Sequence, residues 1–334
     1  MRTKRQYKAA VIGCGIIGVL AEADPKRIKP ATHAGSFFRH PRIKLVGLCD
    51  ISTETLKKVS KLFPGVPTFT SAAEMIDCLK PEIVSVATHS DTHYKFVKLA
   101  TEGGARAIIC EKPITRTIKE GKKMIEICKK NKTLLFIDHQ RHFDSLIRKA
   151  REKIKSLGQI RQASIFYTKG LRHNGIHAID LLRFFLGKTQ WVRGFKNSLT
   201  SQKGYENIDG LISFKSGSLG VLQSLNGNEY SIFELYFYGS KGYLGLKNSG
   251  FEIEEKRVRD SVYFQGYREL SEPKKWPGRN PRSMMGPMVK HVIACLDGIE
   301  RPLSRGEDGL AALEVILALK RSAESNGRRV NCEV

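Results

Sequence analysis

The sequence predicts an α/β protein: a doubly wound parallel sheet in the N-terminal part, then an α+β domain with a largely antiparallel, open sheet. Three observations carry that expectation. The apolar run Ala9-Ala10-Val11-Ile12 breaks into glycines at the spacing G-x-G-x-x-G, at Gly13, Gly15 and Gly18. Short apolar runs of the same kind then alternate with helical periodicity as far as Ile137. Beyond Gly194 the pattern changes to closely spaced segments that alternate or run apolar between short turns. The change of pattern falls within residues 117–143, and the domains are drawn as 1–120 and 121–334, with a helix over 308–325 packing against the core. A chain of 334 residues is long enough for two cores.

The first strand and its glycines are specific in their physics. Gly13 permits the tight turn, Gly15 removes the Cβ that would block a pyrophosphate, and Gly18 lets helix and strand pack closely. Free N–H groups of Gly13-Cys14-Gly15-Ile16-Ile17-Gly18 and of the following helix start suit phosphates. An ordinary strand–helix turn is the competing reading of the glycines alone. Val19 to Ala23 begins a helix that Asp24-Pro25-Lys26-Arg27-Ile28-Lys29-Pro30 cannot continue. Helical pattern resumes at Thr32 to Arg39, and Ile43 to Cys49 reads as the second strand, ending at Asp50. A carboxylate there accepts from adenosine ribose hydroxyls and repels a 2′-phosphate, which favours NAD over NADP. Asp50 lies 32 residues beyond Gly18 where about 20 is usual, so residues 23–31 are read as an insertion. A strand-end Asp that only caps the next helix is the plainer alternative.

The βα alternation continues through helices over 53–62, 72–79, 92–103 and 118–130, with strands over 83–87, 107–110 and 134–137. Ligands in such sheets bind at the carboxyl ends of strands, where Gly13, Asp50, Thr88 and Lys112 fall. In Glu111-Lys112-Pro113 the proline holds Lys112 extended, which fixes an ammonium group at a strand end. A surface lysine before a helix that starts at Pro113 explains the tripeptide equally well.

After a basic helix over 145–156 and a strand over 159–167 comes a segment from Gly170 to Gly187 that reads as a loop entering a helix. His173 and His177 are four apart and Asp180 is three further on, so a helix aligns them along one side. A structural His–Asp pair fits the same spacing, and no third metal ligand stands near. Strands are expected over 210–214, 219–224, 232–238, 243–246 and 251–254, forming a one-sided sheet whose open face calls for a second subunit. Residues 266–288 read as a long loop in which Arg279 and Arg282 suit a phosphate, a merely solvated linker being an equal reading.

Bulk composition excludes several classes. Lys and Arg number 57 against 33 Asp and Glu, a net charge of +24 spread along the chain without a basic–aromatic block, which argues against nucleic acid. A basic surface attracts anions in general, or an anionic substrate in particular. No apolar run reaches membrane-spanning length and no signal peptide is expected. Seven scattered cysteines without a C-x-x-C pair point to the reduced cytoplasm and away from structural zinc.

Together these residues resemble the Gfo/Idh/MocA oxidoreductase family, named for glucose–fructose oxidoreductase and inositol dehydrogenase. The matching pieces span nearly the whole chain: Gly13-x-Gly15-x-x-Gly18, Asp50, Thr88 to His93, Cys110-Glu111-Lys112-Pro113, Gly175-x-His177-x-x-Asp180 and Asp308 to Glu314. The resemblance implies an N-terminal Rossmann domain binding NAD, with contacts from the glycine loop, Asp50, Thr88, His93, Glu111 and Lys112. It implies hydride transfer to or from the carbon of a sugar or polyol hydroxyl; the basic surface adds nucleotide sugars as substrates, the open sheet face points to a homodimer or homotetramer, and no metal is expected. His177 would be the acid–base group, Lys112 would hold the reacting oxygen, and Asp180 would orient His177 or the substrate. Many relatives carry Asp four residues before the histidine; here His173 stands there and becomes the candidate third member. Two other classes share the fold: a glycosidase using tightly held NAD transiently, and a non-catalytic sugar- or dinucleotide-sensing regulator. Retention of Lys112 and His177 weighs against the last.

Overall fold

Strand β1 (Tyr7–Ile12) is buried at five of its six residues, which demands cover on both faces and so a central place in a parallel sheet. The computed structural model describes residues 5–201, 204–277 and 283–333. Alongside β1 run β2 (Ile43–Cys49), β3 (Thr68–Phe69), β4 (Ile83–Val86), β5 (Ala107–Cys110) and β6 (Leu134–Ile137). Their order is β3-β2-β1-β4-β5-β6, every pair parallel, so the strand order reverses beside β1. The expected doubly wound sheet is therefore present.

The connecting helices are α1 (His33–Arg39), α2 (Thr53–Leu62), α3 (Ala72–Leu79), α4 (His93–Glu102) and α5 (Ile118–Lys130). Four of them start on a Ser or Thr whose hydroxyl accepts from a backbone N–H three residues on: Thr32, Ser52, Ser71 and Thr117. Each such cap is worth about 1 kcal/mol and locates the helix start in the sequence.

The first helix departs from a simple reading. Only a 3₁₀ turn, Leu20–Ala23, follows the glycine loop. The carbonyls of Ile17 and Gly18, which in a regular helix would accept from residues four further on, accept instead from His33 N–H (3.2 Å) and Ala34 N–H (3.0 Å). Those partners lie sixteen positions away, twelve more than a helix needs. Helix α1 is thus the continuation of the turn begun at Gly15, with a twelve-residue excursion spliced in. Removing twelve from the 32 positions between Gly18 and Asp50 restores the usual spacing of about 20. Glu22 holds the splice shut by accepting from Ala31 N–H (2.9 Å) and Thr32 Oγ1 (2.9 Å), and it pairs with Arg39.

The chain divides into two compact units, Met1–Phe143 with Ser283–Leu310, and Asp144–Arg282 with Ala311–Val334. The first unit thus runs past residue 120 and takes in helix α8 (Met285–Leu296), whose Met288, Val289 and Val292 share a core with Tyr7, Val11 and Phe37. The second unit starts with α6 (Ser145–Lys153), capped by Asp144. It continues through β7 (Ile160–Tyr167), α7 (Ile176–Leu186), β8 (Thr189–Lys196), β9 (Ile208–Phe214), β10 (Leu219–Ser224), β11 (Phe233–Gly239) and β12 (Gly242–Lys247). Then come β13 (Glu252–Asp260), β14 (Arg268–Leu270), β15 (Lys274–Lys275), α8 (Met285–Leu296), α9 (Gly306–Glu324) and β16 (Val330–Asn331). The sheet runs β14-β13-β12-β11-β7-β10-β9-β8-β16, with β15 on β13. Among the described residues of this sheet only β7 and β10 pair in parallel; the other pairs are antiparallel. Strict alternation of burial along β9 and β10 gives one face to a core with α7 and α9 and leaves the other partly open.

One strand lies outside the expected set and one expectation needs correction. Strand β8 escapes a period-two reading because its register on β9 shifts between Thr189 and Trp191, which breaks the alternation. The stretch 266–288 is not a structureless loop: β14 and β15 pair with β13, and α8 begins at Met285. Arg279 and Arg282 lie outside the described residues. Among the described residues no helix is long and apolar enough to cross a membrane.

Candidate active site

The three loop glycines are required for different reasons. Gly13 has φ +95°, and a Cβ on it would stand 2.6 Å from the Ala87 carbonyl oxygen. A Cβ on Gly18 would stand 2.0 Å from the Gly13 carbonyl oxygen. On Gly15 it would meet nothing within 4 Å. The protein itself therefore needs Gly13 and Gly18, whereas Gly15 keeps open space in front of the loop. A dinucleotide pyrophosphate fits that cradle.

Asp50 follows β2 and its carboxylate is tied to the loop: Oδ2 accepts from Cys14 N–H (2.8 Å) and Oδ1 from Ser52 N–H (2.9 Å). Each oxygen keeps a second lone pair for a ribose hydroxyl. Cys14 contributes through its backbone, its buried thiol pointing to the Cys49 carbonyl (3.4 Å). Two large apolar side chains stand in the open here, Ile16 at 68% and Ile51 at 89% exposure, surfaces that suit a flat ring. At the end of β4, Thr88 Oγ1 accepts from Thr92 Oγ1 (2.8 Å).

At the end of β5 the Lys112–Pro113 peptide is cis and Lys112 is half-buried. Burial and the charge of Arg141 lower the lysine, while Glu111 and Asp138 act the other way. His93 differs from expectation. Its ring is fully buried, with Nε2 3.0 Å from the Thr88 carbonyl and Nδ1 3.0 Å from that of Pro113. It ties the ends of β4 and β5 together and is spent on backbone rather than offered to a cofactor.

Beneath Lys112 lies a cluster that sequence reasoning missed. His33 at the start of α1, Glu111 after β5 and Asp138 after β6 are all buried, their ligand atoms within 4.8 Å of one another. His33 Nε2 stands 3.0 Å from Glu111 Oε1 and 3.7 Å from Asp138 Oδ2. Burial would raise Glu111, but bonds from His33 and Asp138 and the charge of Lys112 bring it down to about 2. Burial and the charge of Glu111 push Asp138 well above the carboxylate range. Glu111 is thus the anion and Asp138 the neutral acid that donates to it. The 27 positions from Glu111 to Asp138, and the 78 from His33 to Glu111, left nothing to connect them in sequence. That each of the two acids directly follows an apolar strand was the available signal.

In the second unit, residues 170–175 form a turn of π-helix before α7. Asn207 secures it: Oδ1 accepts from Gly170 N–H (3.0 Å), and Nδ2 donates to the carbonyls of Thr200 (2.6 Å) and Leu225 (3.3 Å). The wide turn alters the expected alignment, since i and i+4 no longer stack there as on an α-helix. His173 is exposed, its ring 6.0 Å from that of Tyr205, whereas His177 and Asp180 are buried on α7 at 7% and 3% exposure.

A glycine loop opening a parallel sheet, an acid at the next strand end and a lysine held at a further strand end define a dinucleotide-binding oxidoreductase. The chain matches the family model for the oxidoreductase family, NAD-binding Rossmann fold, over residues 7–139, and the model for its C-terminal alpha/beta domain over residues 170–331. It belongs to the Gfo/Idh/MocA family. Similar curated proteins include D-apiose dehydrogenase of Paraburkholderia graminis, 23% identical over 98% of this chain and 90% of that one. D-glucoside 3-dehydrogenase of Escherichia coli is 22% identical over 98% of both. Among solved structures, the WlbA dehydrogenase from Bordetella pertussis, in complex with NADH and UDP-GlcNAcA, shares the fold. Its TM-score is 0.78 at 19% identity, covering 99% of this chain and 100% of that one.

Proposed function

We propose that this dehydrogenase moves a hydride between NAD and a hydroxyl or keto carbon of a sugar, polyol or nucleotide sugar. The observation that carries the reading is Lys112, half-buried at a strand end beside the buried Glu111 anion, in the sheet that holds the open Gly15 cradle. The sugar class rests on the names of the similar dehydrogenases. Asp50 supports NAD over NADP, because a carboxylate repels a 2′-phosphate.

Bound nicotinamide supplies the hydride acceptor or donor. In oxidation, His177 takes the proton of the substrate hydroxyl, and the Lys112 ammonium donates a hydrogen bond to the same oxygen as negative charge develops on it. Reduction runs these steps backwards. Asp180, one helical turn beyond His177, orients the imidazole. His173 takes the place of a third polar member, and its exposure suits contact with substrate. All seven cysteines are free, which supports a reducing compartment.

The test is nicotinamide reduction with NAD against free sugars, inositols, sugar acids and UDP-sugars, with Lys112→Ala as the blank. Turnover on one class, lowered at least about 100-fold in the variant, is the expected outcome. Tight NADH binding with no turnover across the panel overturns it.

A further inference from the structure

Glu111 and Asp138 end adjacent strands, and both carboxyls are buried, at 8% and 2% exposure. Two such groups cannot both keep a charge unless a cation lies between them. A metal ion is poorly matched. His33 Nε2 makes a direct hydrogen bond of 3.0 Å to Glu111, and its Nδ1 has no partner among the described residues. A metal-bound imidazole normally donates that second N–H to an acceptor. Lys112 already places a positive charge alongside. The Glu111 carboxylate itself is satisfied without an ion, accepting from His33 Nε2–H, from Asp138 and from Lys112 N–H (3.3 Å), while Asp138 Oδ1 has no partner among the described residues. Three donors on one buried carboxylate hold it firmly as an anion.

We propose that His33 is a positioning residue for Lys112: its Nε2–H pins the Glu111 carboxylate, with Asp138 as a second donor, and so fixes the negative charge next to Lys112 in the chain, whose field acts on the ammonium. The proposal rests on the role assigned to Lys112 above. It also explains why the excursion rejoins the helix in register, since α1 delivers His33 to the ends of β5 and β6. The charged groups acting on the lysine are the Glu111 carboxylate, which favours the ammonium, and Arg141, which opposes it; Asp138 joins Glu111 only if it gives up its proton.

The test reads Lys112 directly and needs no substrate. Full-length protein is labelled with a trace of acetic anhydride from neutral to alkaline pH, and acetylation of the Lys112 peptide is followed by mass spectrometry. Glu111→Gln should move the labelling midpoint down by about one pH unit or more. His33→Ala should move it the same way by less, and His33→Gln, which keeps a donor near Nε2, should restore it. Thermal melts and NADH fluorescence titrations identify variants that are folded. An unmoved midpoint in folded Glu111→Gln overturns the proposal, as does equal damage from His33→Gln and His33→Ala, which marks a packing role. A stoichiometric divalent metal in the purified protein, lost in Glu111→Gln, overturns it in favour of a metal centre. Shifted midpoints in a protein that turns over no sugar leave this network standing and sink the assigned reaction instead.

Discussion

Gly15 and Gly18 sit three residues apart in one loop, yet the structure separates their duties, and substitution should too. Gly15→Ala places a methyl where no protein atom lies within 4 Å, so the variant should melt like wild type while NADH dissociation rises roughly tenfold or more. Gly18→Ala drives a methyl into the Gly13 carbonyl and should lower stability by about 1–3 kcal/mol. A melt and a fluorescence titration on each variant check both statements. The carboxyl pair makes a pH prediction. Asp138, raised in the folded state, keeps a proton that the unfolded chain releases above about pH 4. Folded protein then binds more protons, so this group's contribution to stability falls as pH rises from about 4 towards neutrality. Glu111, held at about 2, works oppositely: its contribution is complete above about 4.3 and is lost as pH falls towards 2. Asp138→Asn keeps a donor and removes the first slope, so it should raise the neutral-pH melting temperature by roughly 2–5 °C and change it little at pH 4. A variant that melts lower at neutral pH contradicts the protonated assignment.

Elements follow the same logic at longer range. Capping residues and strand-end punctuation made α2, α3 and α5 legible to the residue, because each signal is local. The first helix was not, since the hydrogen bonds that rejoin it run from Ile17 to His33 and from Gly18 to Ala34. Nothing short of the fold shows such a splice. If α1 continues the turn at Gly15, deleting Leu20–Ala31 should close the helix in register. The shortened chain should fold and bind NADH within about threefold of wild type, by melting and titration. Loss of the fold would mean that the excursion is structural rather than an addition. The π turn over 170–175 was equally hidden, because the Asn207 side chain that secures it comes from the loop before β9.

For the whole molecule, charge and one-sided burial set the expectations. A net charge of +24 should steer an anionic substrate and leave a neutral sugar indifferent. On raising salt from about 0.02 to 0.3 M, kcat/KM for a UDP-sugar should fall several-fold while that for a free sugar holds. Equal salt response of the two would assign the basic surface to solubility alone. The partly open face of the ten-stranded sheet keeps subunit association, as dimer or tetramer, the reading we favour, to be weighed by sedimentation.

By itself the sequence determined the parallel sheet, the one-sided sheet that follows it and the glycine loop. Their signals are carried by neighbouring residues: apolar runs, period-two alternation, caps and glycine spacing. It also marked Lys112 and His177, through short motifs whose residues adjoin. Only the tertiary structure decided that Gly15 guards open space, that His93 is spent on two carbonyls, and that His33, Glu111 and Asp138 share one buried site. Those facts depend on side chains from strand and helix ends far apart in the chain. Proximity of that kind arises from packing, and a linear pattern does not record it.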